Sequence, residues 1–574
     1  MAIRKQKLEL TWIGKEERPR LEPRILLEDQ ELSYHATHRV TEKDIFDNRL
    51  IFGDNLLALK ALEQEFAGRV KCSYIDPPFN TQQAFEHYDD GLEHSIWLGL
   101  IRDRLEIIRR LLADDGTLFI HIDDNELAYL IVLLDEIFGR VNRISIISFK
   151  QGSATGHKAI NPGVVSTSNF VVIYAKNKSN WTPNRVFTAR AERDKRYGQF
   201  IENYEDPYPN WRFMSLAKAF AGSLRLPERS LKKALGTEYE EKLTQFVVNN
   251  ASHVIQLARP NYSAVSAAAR ALIDASLANR NEVMRLEREG YSDMYFVGGQ
   301  RILFYAGKLK LVDGQYVSGE PLTSIWDDIL SNNLHNEGGV AFPKGKKPEA
   351  LIKRCLDLVT NPDDLVLDSF AGSGTTGAVA HKMGRRWIMV ELGEHCHTHI
   401  IPRLKKVIDG EDPGGISKAV NWKGGGGFRY YRLAPSLLEK DRWGNWVINK
   451  TYNGAMLAEA LCKLEGFTYA PSDTIYWQHG RSTEQDFIYV TTASLTHEQL
   501  QELAGEVGPY RTLLVLCTAF RGRGDYANLT VKKIPRQVLS RCEWGHDDYS
   551  LKVENLPQKP AEPIQLPLFG EETP

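Results

Sequence analysis

Residues 363–384 read DDLVLDSFAGSGTTGAVAHKMG. The apolar run Leu365–Leu367 predicts a strand that ends at Asp368, and a helical pattern begins near Thr375. Between them lie Phe370, Gly372 and Gly374. Glycines at such a junction let the backbone approach a ligand closely at a helix N-terminus, where free amides favour negative charge. The spacing is not that of the six-residue dinucleotide fingerprint. It is not a phosphate-cradling Walker loop either, because no Gly-Lys-Ser/Thr follows. The next strand, WIMVEL (387–392), ends at Glu391, where an acid is placed to accept hydrogen bonds from ribose hydroxyls. An ordinary tight turn would leave that acid unexplained.

A second strand ends just as abruptly. CSYIDPPFNT (72–81) places an acid, two prolines, an aromatic and an amide at the end of an apolar stretch. Proline removes a ladder donor and fixes φ, so Asp76-Pro77-Pro78-Phe79 predicts a rigid, exposed platform rather than more sheet. Around these two points strands and helices alternate. RLIFGDN (49–55) is a strand and turn, LLALKALEQEF (56–66) a helix, and IWLGLIRDRLEIIRRLLADDG (96–116) an amphipathic helix with a Gly stop. TLFIHIDD (117–124) and NFVVIYAKN (169–177) are strands, and KKPEALIKRCLDLVT (346–360) is a helix. This rhythm predicts an α/β fold with a doubly wound parallel sheet, interrupted by an inserted module where the alternation lapses.

Composition sets the remaining bounds. The 574 residues are 42% hydrophobic and 25% charged, ordinary for globular protein. No apolar run approaches the ~20 residues of a membrane span, and the basic start carries no secretory pattern. Six scattered cysteines without a Cys-x-x-Cys pair read as reduced thiols, hence a cytoplasmic location. With a net charge of −2, any nucleic-acid surface must be a local patch.

The Asp76–Phe79 corner and the Asp368–Gly374 loop together resemble the amino-methyltransferases that use S-adenosylmethionine. Their order, corner first, then insert, then loop, is similar to the circularly permuted β class. LTWIGKEERPRLEPRILLED (10–29), LIFGDNLLALKAL (50–62), YIDPPFNT (74–81), FIHIDDNE (119–126) and GGGFRYYRL (425–433) extend the likeness, over residues 8–435, to modification subunits of type III restriction–modification systems. The resemblance implies a Rossmann-like methyltransferase sheet with an inserted target-recognition domain and a small C-terminal α/β domain. It implies a catalytic corner of Asp76, Pro77, Pro78 and Phe79. Asp368 would sit near the methionine end of the cofactor, Phe370 would pack on it, and Gly372 and Gly374 would allow its approach. Glu391 would take the ribose hydroxyls, Asp54 the adenine edge, and Lys347-Pro348 would border the carboxylate. As a turn-capping residue, Asp54 has an equally simple reading. The implied partners are duplex DNA, a second copy in a homodimer and a helicase–nuclease restriction subunit, with no membrane and no metal.

The expected layout is an arm (1–45), a first core part (46–180), the recognition insert (181–325) and a second core part (326–410). A linker (411–435) and a C-terminal α/β domain for dimer or partner contacts (436–574) follow. WKGGGGF (422–428) reads as a flexible hinge, and the proline-rich end as disordered. EHCHTHI (394–400) has zinc-like residues but no distant ligand pair to complete a tetrahedral set. The acids of IHIDDNE (120–126) read as helix capping rather than a nuclease site. In the insert, Arg185, Arg190, Arg193, Lys195 and Arg196 interleave with Phe187, Tyr197 and Tyr204, a pattern that suits phosphate contact and base stacking.

The function so read is N6-adenine methylation of duplex DNA after base flipping. An exocyclic amine is a poor nucleophile because its lone pair is delocalised into the ring. The Asp76 carboxylate and the Pro77 carbonyl can each accept one N–H, which favours a pyramidal nitrogen, while Phe79 stacks on the base. Asp at the first position favours adenine by family habit. N4-cytosine methylation, RNA methylation and a non-catalytic recognition subunit guiding a nuclease are the alternatives.

Overall fold

In the computed structural model, the described residues are 9–78, 90–152, 163–190, 192–329, 334, 337–340, 342, 346–521, 525–534, 539 and 541–550. They form two compact units, residues 185–323 and the chain on either side of them. Phe79 and the proline-rich end, 551–574, lie outside the described residues.

The larger unit is built on ten strands: β1 (Leu26–His35), β2 (Asn48–Phe52), β3 (Val70–Ile75), β4 (Leu112–Ile122), β5 (Arg143–Lys150), β6 (Ser168–Ala175), β7 (Ile325–Trp326), β8 (Leu365–Asp368), β9 (Arg386–Glu391) and β10 (Gly427–Leu433). Their order across the sheet is β1-β10-β2-β9-β8-β3-β4-β6-β5-β7. The run from β10 to β4 is parallel throughout. β1 and β6 run antiparallel to their neighbours. Strands from both sides of the 185–323 unit therefore share one sheet.

Period-two alternation decides which face each side chain serves. Leu365, Leu367, Ile388 and Val390 join one core with Leu56, Leu59 and Leu62 of helix Asn55–Phe66 and Leu105, Ile108 and Leu111 of helix Asp90–Leu111. Met389 points the other way, where its Sδ lies 3.2 Å from the Gly377 amide of helix Thr375–Lys382. Helices cover both faces, which is why the central strands are apolar on both sides and read as continuous hydrophobic runs. The helix expected to run to Gly116 stops at Leu111. β4 begins at once, and Gly116 lies inside it, where a Cβ would lie 2.8 Å from the Val70 carbonyl oxygen.

The unit of residues 185–323 has its own six-stranded antiparallel sheet and its own core, which includes Leu216, Phe220, Leu243, Val247, Val254 and Tyr305. After β10 the chain forms a five-stranded sheet with helices Gly454–Glu465 and His497–Val507. This part shares a core with Ile25 and Leu27, and Gln64 donates to the Phe467 carbonyl at 2.7 Å. No described helix is long and apolar enough to cross a membrane, and all six cysteines are buried free thiols.

Two expectations need correction. The stretch 411–435 is not a linker, since it contains β10, an interior strand of the sheet. Gly424–Gly427 are buried, with Gly425 donating to the Ile408 carbonyl at 2.8 Å and Gly427 to that of Ile45 at 2.9 Å. Composition suggested freedom; the actual requirement is room. The stretch read as an N-terminal arm carries β1, which pairs with β10 at the sheet edge. Gly426 combines φ +77° with a Cβ position 2.6 Å from the Ile45 oxygen. Gly426→Ala should therefore destabilise the protein by roughly 2–4 kcal/mol, read as a lower melting temperature. A free hinge would leave the melt unchanged.

Candidate active site

Four adjacent parallel strands, β2, β9, β8 and β3, end along one edge of the sheet, each with a carboxylate: Asp54, Glu391, Asp368 and Asp76. The crevice outside the carboxyl ends of such strands is where α/β sheets hold ligands. Here it is a cavity of about 400 Å³, lined by all four acids together with Pro78, Phe370, Gly372 and Lys347.

At the corner, Pro77 is buried, and the Pro78 carbonyl accepts from the indole of the fully buried Trp97 at 3.1 Å. Asp76 is thus held by a rigid backbone anchored on the core. Lys347 reaches its Oδ2 at 2.8 Å. Its Oδ1 is buried with no hydrogen-bond partner among the described residues. Burial pushes the Asp76 carboxyl above its usual range, and Lys347 opposes that rise.

In the loop, Asp368 accepts from the Phe370 amide at 2.9 Å and Gly372 donates to Glu391 Oε2 at 2.8 Å. Glu391 Oε1 accepts from Gly393 at 2.8 Å and from His395 at 3.0 Å. Gly372 has φ +53°, and a Cβ there would meet only the Phe370 oxygen at 3.8 Å. Its open side faces the cavity it lines. Gly374 differs: it is absent from the cavity lining, it caps helix Thr375–Lys382, and its Cβ position lies 3.0 Å from Ile400. Its glycine serves the turn and the packing behind it. Asp368 is pushed up to about 7, first by burial and further by the neighbouring Asp76 and Glu391, against hydrogen bonds from Thr376 and Phe370.

Behind the loop stands a fully buried ion network. Glu349 binds Lys382 at 2.8 Å and Arg403 at 2.8 Å, and Asp412 binds Lys382 at 2.6 Å. Arg403 also donates to the Ser373 carbonyl at 3.2 Å and to Thr375 Oγ1 at 2.8 Å. Each buried charge has a partner, so the loop rests on a fixed foundation.

Asp54 has the capping role it was read as having, and it also sits at the cavity. It lines the cavity and caps helix Asn55–Phe66, with Oδ1 accepting from Leu56 at 2.9 Å and Leu57 at 3.1 Å. Its Oδ2 takes the Tyr549 amide at 2.9 Å and faces Arg104 at 3.5 Å. Sequence reasoning missed Arg104, which looked like the solvated face of an amphipathic helix and is 2% exposed. It also missed Asn55, which donates to the Ser369 carbonyl at 2.7 Å. Lys347, expected beside a ligand carboxylate, lines the cavity and is bonded to Asp76.

The other candidates disperse. His395 serves Glu391, Cys396 is buried, and His397 bonds the Tyr430 hydroxyl at 2.8 Å. Asp123 accepts from the Asn125 amide at 3.1 Å, a local turn, and Glu126 is bonded to His94 at 2.5 Å. In the insert, Tyr197 is a core residue, Tyr204 stacks on Trp211, Arg196 is forked onto Asp194 and Lys195 pairs with Glu192. Local acids thus already engage part of the basic cluster.

A DNA methylase family profile matches residues 70–402. The chain belongs to that family. The matched span holds Asp76, the Asp368–Gly374 loop and Glu391. The chain is 35% identical over 414 residues to the probable type III restriction-modification enzyme HindVI Mod subunit of Haemophilus influenzae, covering 68% of this chain and 54% of that one. It is 33% identical over 362 residues to the type II methyltransferase M.EcaI of Enterobacter cloacae, covering 60% and 67%. It is 25% identical over 543 residues to the type III restriction-modification enzyme EcoP15I Mod subunit of Escherichia coli, covering 78% and 75%. The aligned part spans about half the length of the first of these relatives.

The raised Asp368 carboxyl has a measurable consequence in the ligand-free protein. Its folded value, about 7, lies above the unfolded value of about 3.9. The folded state therefore holds a proton that the unfolded state releases, and stability falls as pH rises from about 4 to 7. Asp368→Asn removes that loss. The melting temperature of the variant minus that of the parent should increase between pH 5 and pH 8; a flat difference would show an ordinary carboxylate.

Proposed function

We propose that this chain is a DNA methyltransferase that transfers the methyl group of S-adenosylmethionine to N6 of adenine in duplex DNA, as the modification and recognition subunit of a restriction–modification system. One observation carries the reading: Asp76, whose Oδ1 is a buried acceptor without a partner among the described residues, lines the same cavity as Asp368 and Glu391.

The cavity's chemistry fits the cofactor. Asp368 and Glu391 suit a ligand with a cationic end and a diol, Phe370 offers an apolar wall, and Gly372 leaves an open cradle. When bound, S-adenosylmethionine supplies a methyl group on a positively charged sulfur that departs as a neutral thioether. Asp368 would hold the cationic end and give up its proton in doing so, and Glu391 would hold the hydroxyls. Oδ1 of Asp76 and the Pro77 carbonyl would accept the two N–H bonds of the target amine, favouring a pyramidal nitrogen whose lone pair is free to attack. Lys347 favours the carboxylate form of Asp76, the form that can accept, against the pull of burial. Most of the rate gain then comes from positioning and fixed dipoles. Adenine in a duplex cannot reach this pocket without flipping, at a cost of a few kcal/mol.

Residues 185–323 form a compact unit inserted between two strands of the catalytic sheet, which supports a separate role in reading the target sequence. That relatives are named Mod subunits of restriction-modification enzymes supports assembly with a restriction subunit; pairing with a second copy is part of the proposal. Asp favours adenine over cytosine at the first corner position by family habit, so the modified base has to be measured.

Transfer of labelled methyl to duplex DNA, followed by mapping of the modified base, tests the assignment. Asp76→Ala should lower transfer by about a hundredfold or more while calorimetric cofactor binding persists; near-normal turnover would reject the mechanism. In Lys347→Met the acidic limb of the pH–rate profile should move to higher pH, because the group opposing the rise of Asp76 is gone. Exchanging residues 185–323 for the corresponding unit of a relative should change the target sequence and leave the methylated atom at N6. A target that stays the same would assign recognition elsewhere.

A further inference from the structure

The cavity has one wall that no motif announces. Ser550 lines it, far along the chain from both the corner and the glycine loop. The segment leading to Ser550 is stitched down at successive points. Glu543 donates to the Arg20 carbonyl at 2.8 Å, and Gly545 to Ser436 Oγ at 2.9 Å. Arg24, 2% exposed, donates to the His546 carbonyl at 3.3 Å and to Asp547 at 2.5 Å. The last attachment is at the cavity itself: the Tyr549 amide donates to Asp54 Oδ2 at 2.9 Å, and Arg104 donates to the Tyr549 carbonyl at 3.1 Å. The Tyr549 ring packs against the central core.

Asp54 and Arg104 are buried, at 1% and 2% exposure. A backbone amide and carbonyl brought to such a pair satisfy groups that would be costly to leave unmet. Without Tyr549, Asp54 Oδ2 would face the cavity with only the longer Arg104 contact, and the wall at Ser550 would be open. The segment thus does two things: it fixes the carboxylate that caps helix Asn55–Phe66, and it closes the side of the cavity beside Asp54.

We propose that Tyr549-Ser550 is a clasp that completes the cofactor site. Ser550 touches the bound cofactor, Tyr549 is a positioning residue acting through Asp54 and Arg104, and cofactor affinity therefore depends on the chain beyond the methyltransferase motifs. This rests on the reading of the cavity as an S-adenosylmethionine site. It adds cofactor binding to the dimer or partner contacts expected of residues 436–574.

The test is calorimetric titration of the full-length chain with S-adenosylmethionine, beside a thermal melt of each cofactor-free variant. Tyr549→Pro removes the amide proton that Asp54 accepts, and Ser550→Trp fills the wall position with bulk. Each should weaken binding by about tenfold or more, as expected for a lost buried hydrogen bond or a blocked subsite. The melting temperature of Ser550→Trp should stay close to the parent's, which separates a site effect from general loosening. If Tyr549→Pro does not fold, Ser550→Trp decides alone. Parent-like affinity in a folded Ser550→Trp variant would overturn the clasp. A parent chain that binds no S-adenosylmethionine would overturn the cofactor reading beneath it.

Discussion

The parallel pairing of β3 with β8 is the contact on which the rest depends. Val366 lies opposite Cys72 and Leu367 opposite Ser73, although the two strands flank the whole 185–323 unit in sequence. Because both run in the same direction and end at the same edge, the proline corner and the glycine loop are forced into one crevice. β9 and β2 continue the edge and bring Glu391 and Asp54 to it. Parallel strands demand long crossovers, and one of these crossovers carries an entire folding unit at no cost to the pairing.

Concentrating acids in one apolar crevice is unfavourable in itself, and the structure offsets it unevenly. Asp54 is satisfied by helix amides and the Tyr549 backbone, Glu391 by two loop amides and His395. Asp76 has Lys347 on one oxygen only, and Asp368 carries a raised affinity for protons. The two acids left least satisfied by the protein are those at the ends of the paired strands. Directly behind them, each charge of the Glu349–Lys382–Arg403–Asp412 network has an opposite partner. Strain is concentrated at the ligand side and removed from the scaffold, a division expected where preorganised charge does the work.

The strand ends were the most legible part of the sequence. A change from apolar alternation to Asp-Pro-Pro or to Asp followed by spaced glycines has a direct backbone cause. Less legible was anything set by tertiary packing. Gly424–Gly427 had a hinge's composition, yet Asp44 at Gly425, and Ile45 and His381 at Gly426, leave no space for a Cβ. Arg104 sat on what looked like a polar helix face, and only the chain returning at Tyr549 makes that face an interior. Tyr197 sat among basic residues, which gave no sign that its ring belongs to a core. Gly374 and Gly372 looked equivalent in the loop, but one faces a ligand cavity and the other faces Ile400.

The wall at Ser550 also sets a schedule. A chain emerging from the ribosome exposes the Asp76 corner early, while β2 must wait for β9 and β10, and β3 for β8, before its sheet can close. At about 5–20 residues per second, roughly half a minute to a minute and a half separates the appearance of Asp76 from that of Ser550. During that interval the parallel strands already made have unpaired edges, the condition that exposes nascent chains to misassembly. The cavity wall at Ser550 is therefore added long after the Asp76 corner appears, and a partly synthesised chain carries that corner without the wall.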